Sequence, residues 1–115
     1  MRAIGKLNPS AATAGVCGAG SGDCVGVTEY AIPALPPGCP STHVSGIAIN
    51  KPAGIVWFDD SLASQVGSFD KATGAFALYN LSACGNHPHD GLGLDASARP
   101  WWDEEFVNAI GKLLP

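Results

Sequence analysis

The sequence predicts an all-β chain built from a repeated four-stranded antiparallel unit. Three observations carry that prediction. Cys39 and Gly46 stand seven residues apart, as do Cys84 and Gly91. Trp57 and Gly67 stand ten apart, as do Trp101 and Gly111. Between these marks the character of the residues repeats: Gly46-Ile47-Ala48-Ile49 against Gly91-Leu92-Gly93-Leu94, Trp57-Phe58-Asp59-Asp60 against Trp101-Trp102-Asp103-Glu104, and Val66-Gly67-Ser68-Phe69 against Ile110-Gly111-Lys112-Leu113. One extra residue in Lys51–Gly54 is the only slip. A period of this length belongs to blade-like or solenoid units, each too small to bury its apolar face alone.

The elements follow in order. Ala3–Leu7 repeats Ala109–Leu113 residue for residue, so it is a third strand of the unit. Residues 8–25 are rich in Gly, Ala and Ser without periodicity and read as a loop. Val27–Ile32 alternates over a β-branched run and matches Phe76–Leu81, which makes it a fourth strand. Pro33–Pro40 is too poor in N–H donors to sit inside a sheet. The full unit then reads Ser45–Ile49, Gly54–Asp59, Gln65–Asp70 and Ala75–Leu81, the first strand small and apolar enough to be buried on both faces. Gly74 supplies the positive φ of the last turn. The second copy reads Gly91–Asp95, Arg99–Asp103 and Ala109–Leu113. Phe106, Val107, Ile110 and Leu113 also fit helical spacing, but their register with the first copy favours strand, loop, strand.

Units of this size with glycine and aromatic marks are those of a β-propeller. The expectation is a single domain, 1–115, of about two blades: 1–33 supplies blade-completing strands with the loop 8–25, 43–82 is a full blade, and 88–114 lacks its fourth strand. Two blades do not close a ring. Strand exchange in a homo-oligomer would complete them, three chains giving about six blades and four about eight. A segment of a longer propeller is the competing reading, and its open edges would invite aggregation.

Composition narrows the classes. The chain is 46% hydrophobic and 14% charged, with 15 Gly and 9 Pro, as in a turn-rich globular protein. A net charge of −4, with six scattered Lys and Arg, gives no basic stripe for nucleic acid. No apolar run is long enough for a membrane helix, and Met1–Leu7 lacks the apolar core of a signal peptide. Four cysteines allow three pairings. Cys17 with Cys24 closes a short flexible loop, and Cys39 with Cys84 occupies one repeat position in adjacent units. Those bonds would imply a secreted or periplasmic protein. Free thiols in a reducing compartment, or less readily a zinc site, are the competing readings.

These motifs resemble the streptogramin B lyase (virginiamycin B lyase) family. Pro88-His89-Asp90-Gly91-Leu92 matches the Pro-His-Gly start of its repeats, Trp57-Phe58-Asp59-Asp60 its aromatic second strand, Ile110-Gly111-Lys112-Leu113 its third, and Val27-Thr28-Glu29-Tyr30 its outer strand. The resemblance covers most of the chain outside residues 8–25. It implies opening of a cyclic depsipeptide lactone by elimination, with a histidine base and Mg²⁺ held by acidic side chains. Carried over, His89 is the base, Glu104 ends the second strand, and Asp60 is its shorter counterpart; Asp60 and Glu104 would hold the metal.

Antiparallel pairing also gathers chemistry without the resemblance. The start of the first strand and the end of the second lie on one side of each sheet. That places His43, His87, His89 and Asp90 on a rim with Asp59, Asp60, Asp103, Glu104 and Glu105. Such a rim can bind a hard cation or leave a neutral imidazole as base. It is equally what solvated loop residues look like, and the tryptophans read as packing between sheets. Two functions follow: a self-assembling binding or assembly module for a small molecule, or a Mg-dependent C–O lyase. Shortness and the Asp60 substitution favour the module.

Overall fold

The computed structural model describes residues 2–12 and 25–115. The proposed Cys17–Cys24 pair lies outside them. The described residues form nine strands: β1 (Ala3–Leu7), β2 (Val27–Ala31), β3 (Val44–Asn50), β4 (Ile55–Asp60), β5 (Gln65–Asp70), β6 (Phe76–Asn80), β7 (Gly93–Leu94), β8 (Pro100–Glu104) and β9 (Ala109–Lys112). There is no α-helix among them; Glu105–Val107 forms one 3₁₀ turn. The chain separates into two compact units, Met1–Ile32 and Pro33–Pro115.

In the first unit β1 and β2 form an antiparallel pair with Ile4 opposite Tyr30 and Gly5 opposite Glu29. The second unit holds a four-stranded sheet in the order β3-β4-β5-β6 and a three-stranded sheet, β7-β8-β9. All pairings are antiparallel. The pairing reproduces the sequence alignment. Phe58 sits opposite Gly67 and Trp102 opposite Gly111, while Val66 faces Tyr79 in the same row that Ile4 occupies against Tyr30.

Glycine is required at these rows because aromatic rings lie on them. A Cβ at Gly67 would fall 2.3 Å from the Phe58 ring, and one at Gly111 2.2 Å from the Trp102 indole. The glycines thus let a large ring cross its neighbour strand flat. Phe58 is completely buried as a result, worth about 2–3 kcal/mol of apolar burial. Trp57 and Val66 project from the opposite face of the same sheet. They pack on Trp102 of the three-stranded sheet, with Ala48, Ile55, Leu81, Leu92, Leu94 and Leu113 around them. This cluster is the core between the two sheets.

Turns follow the repeat as well. Ser64 and Asn108, which close equivalent loops before the third strand, both have positive φ (48° and 51°). Gly54 and Ala98 do the same before the second strand, at 72° and 60°. Asn50 and Asp95 open those loops by accepting backbone N–H bonds, from Ala53 and from Ser97 and Arg99 respectively. Cys39 and Cys84 are disulfide-bonded, with Cα atoms 5.5 Å apart. The bond is compatible with an oxidising compartment.

Two details differ from the sequence reading. The first strand of the four-stranded sheet is not buried on both faces, since Ile47 and Ile49 are 57% and 50% exposed. Its counterpart in the second repeat shrinks from Gly91–Asp95 to Gly93–Leu94. The start of the strand is irregular as well. The register of β3 shifts between Val44 and Ile47, because Asp59 captures Ser45 Oγ (2.7 Å) and Gly46 N–H (2.8 Å). Asp103 takes the Gly91 N–H in the same way, at 3.3 Å. These side-chain bonds replace ladder bonds at the strand entrance.

Candidate functional site: a histidine rim

Three histidines meet in the second unit, brought there by loops of both repeats. His43 precedes β3; His87 and His89 lie between β6 and β7. Ring centroids are 5.6 Å apart for His43 and His89, and 5.3 Å apart for His87 and His89. The 3₁₀ turn after β8 closes the group. Its Glu105 Oε2 lies 3.1 Å from His87 Nδ1 and 3.9 Å from His89 Nδ1, and its Phe106 ring stacks on His87 at 3.9 Å with an interplanar angle of 4°.

His87 is held most firmly. Its backbone is in the left-handed region, φ 55°. Its N–H donates to Ser64 Oγ at 3.3 Å, and its carbonyl accepts from Glu105 N–H at 3.1 Å. His43 is anchored to the turn after β4: Ser61 N–H and Ser61 Oγ both donate to the His43 carbonyl, at 2.9 and 3.1 Å. His89 is looser, with Asp90 Oδ2 3.5 Å from its Nδ1.

The partner of one ring fixes which nitrogen donates. A carboxylate only accepts, so His87 Nδ1 donates to Glu105. His43 Nδ1 lies 3.1 Å from Ser61 Oγ, a contact in which either atom can donate. The acceptors beside His89 Nδ1 favour the same arrangement as at His87. His43 and His87 are thus each in contact through Nδ1. Chemically the rim offers bases and acceptors: it suits a ligand with O–H or N–H donors, or one with a proton to lose.

The sequence-predicted carboxylates occupy different surroundings. Asp60 is completely buried; it accepts from Thr42 Oγ1, His43 N–H and Ala63 N–H. Glu104 accepts from Asn86 Nδ2 at 2.6 Å and from Trp102 Nε1 at 3.0 Å. Asp59 is buried too, with Oδ2 lacking a hydrogen-bond partner among the described residues. Asp60 and Glu104 therefore tie loops to strands and put their oxygens on protein donors. Asp90 is exposed beside His89. No group of three or more His, Cys, Asp or Glu side chains among the described residues is arranged to hold a metal ion.

The sequence reading groups Glu105 with five other carboxylates and assigns Phe106 no role. The structure singles out both. The signal was thin: Glu105-Phe106 follows Glu104 directly, and only the 3₁₀ turn swings these two side chains onto the imidazoles. Below the rim, Asp103, Glu104, Glu105, Asn108, Ala109 and Ile110 line an open cleft of about 320 Å³.

No protein-family model matches the chain, and no curated protein is significantly similar to it. Solved structures do match. The selenomethionine form of virginiamycin B lyase from Staphylococcus aureus superposes with a TM-score of 0.72 at 23% identity, over 98% of this chain and 31% of that one. A catalytically inactive histidine variant of the same lyase, crystallised with quinupristin, matches with a TM-score of 0.62 at 25% identity, over 76% of this chain and 27% of that one. The chain spans less than a third of the solved chains it matches. Three antiparallel sheets in repeat register, together with this likeness, give the chain a β-propeller-like fold.

Proposed function

We propose that this chain is a self-assembling propeller-repeat module, of about two blades per copy, that binds a small polar ligand at the histidine rim and acts by binding rather than turnover. One observation carries the reading: His43 from one loop and His87 and His89 from another are gathered together, with ring centroids 5.6 and 5.3 Å apart and the Glu105 carboxylate beside them. The Phe106 ring stacks on His87 at the edge of this group. Binding rather than turnover is favoured because Asp60 and Glu104 are occupied by internal donors.

A second reading is a Mg-dependent lyase opening cyclic depsipeptide lactones of the streptogramin B type. It is supported by the likeness to virginiamycin B lyase and by His89, the least constrained of the three imidazoles. His89 would take the α-proton, and magnesium would supply carbonyl polarisation through ligands that must rearrange.

The test is a quinupristin titration followed by the imidazole resonances in long-range proton–nitrogen spectra, with and without Mg²⁺. The binding reading expects saturable shifts at all three histidines, loss of binding by about tenfold in His87→Ala, and intact quinupristin afterwards. Mg-dependent ring opening that vanishes in His89→Ala would replace it with the lyase. Unmoved histidine signals would remove the rim as a ligand site.

A further inference from the structure

Gly5 has no local reason to be glycine. Its φ is not positive, and a Cβ there would meet nothing within 4 Å among the described residues. A glycine inside a strand costs about 0.5–1 kcal/mol relative to alanine and marks a place where another group comes close. Its equivalents show which group. Gly67 lies under Phe58 and Gly111 under Trp102, each ring contributed by the neighbouring second strand. Among the described residues β1 pairs with β2 alone, so the edge on which such a second strand would lie is unpaired.

We propose that the β1–β2 hairpin of one copy completes the three-stranded sheet of a second copy, with β1 pairing to that copy's β8 in place of β9. This inference rests on the self-assembly reading above and names its contact. Ala3–Leu7 and Ala109–Leu113 are identical, so β8 exchanges one partner for an equal one and the ladder bonds balance. The observed registers set the geometry. In the four-stranded sheet the rows are Asp59, Val66, Tyr79 and Trp57, Ser68, Ala77. Joining the β8–β9 and β1–β2 registers gives Asp103, Ile4, Tyr30 and Trp101, Lys6, Thr28. The row between them sets Gly5 under Trp102.

What the exchange adds is an outer strand. In the complete sheet Tyr79 stacks on Trp57 at 6.1 Å. In the assembled sheet Tyr30 reaches Trp101, which in the single copy is 40% exposed, with its Nε1 donating to Asp95 and the Lys112 ammonium over its ring, 4.7 Å from the centroid. Lys6 takes the Lys112 position. The displaced β9 gives up little buried surface, since Ile110 is 70% exposed.

The experiment is light scattering of the wild type and of Gly5→Ala across concentration. It is joined by isotope-filtered nuclear Overhauser spectra on a mixture of labelled and unlabelled wild-type copies. A multiple of the 11.7 kDa chain mass is expected for the wild type, with intermolecular contacts between the Trp101 indole and the Tyr30 ring. Gly5→Ala is expected to keep the near-ultraviolet circular dichroism of the folded chain, yet associate at least about tenfold more weakly, because the new methyl group collides with Trp102. A Gly5→Ala protein that assembles normally, or an oligomer without the Trp101–Tyr30 contact, overturns this inference and leaves self-assembly standing. A wild type that stays at one chain mass at the highest soluble concentration overturns both.

Discussion

At Gly67 the backbone of β5 passes beneath the Phe58 ring with no room for a methyl group. Gly67→Ala should therefore cost about 1–3 kcal/mol, whereas Ser68→Ala, one residue on and half-buried, should be close to neutral; urea unfolding of both checks the contrast. Ala98 makes the opposite case. It holds φ 60° where the other repeat has Gly54, so Ala98→Gly should raise stability by about 0.5–1 kcal/mol despite the greater chain entropy of glycine. Asp95 has a depressed pKa, lowered to about 2, first by the Arg99 N–H and then by the Trp101 indole, the Ser97 N–H and the Arg99 guanidinium, against desolvation. A folded pKa below the unfolded value means stability present above the ordinary carboxylate range and lost as pH falls through about 2. Thermal melts of wild type and Asp95→Asn should differ at neutral pH and converge in that acid window.

At the scale of the element, the strand entrances are set by side chains rather than by the ladder. Asp59 and Asp103 each hold a glycine N–H near the start of the first strand of their repeat, and Asp60 and Glu104 fasten the preceding loops. The disulfide closes the four-stranded sheet from outside, joining the segment before β3 to the segment after β6 across 45 residues. A loop of that length gives a chain-entropy contribution of roughly 2–4 kcal/mol. Reduction, or Cys39→Ser with Cys84→Ser, should lower the unfolding free energy by that amount in denaturant titration, with the strand content of the far-ultraviolet spectrum retained below the midpoint.

At the scale of the whole molecule, the two faces of the repeat are treated unequally. Trp57 and Trp102 meet in the core and are 9% and 6% exposed, while Trp101, at the position equivalent to Trp57, is 40% exposed. Ile110, equivalent to the buried Val66, is 70% exposed. One tryptophan of three should thus be open to acrylamide in the dilute protein. If copies associate through this sheet, the accessible fraction should fall as concentration rises, and a constant fraction would argue that Trp101 stays in solvent.

The repeat marks alone determined the four-stranded unit, its strand order and the equivalence of Ala3–Leu7 with the third strand. An aromatic residue that must cross a glycine, and a glycine near the start of each first strand, leave a periodic trace in the chain. They likewise determined that Cys39 and Cys84 occupy one repeat position. The rim was legible as a set of histidines and acids on one side of the sheets, because antiparallel pairing fixes which strand ends coincide. Which carboxylate serves the imidazoles was decided only by tertiary structure. Asp60, Glu104 and Glu105 are alike in sequence, but backbone and indole N–H groups claim the first two, and a 3₁₀ turn of three residues carries the third, with Phe106, onto His87. Local turn geometry and competition for donors leave no periodic trace, so they become visible only when the loops of the two repeats are brought together.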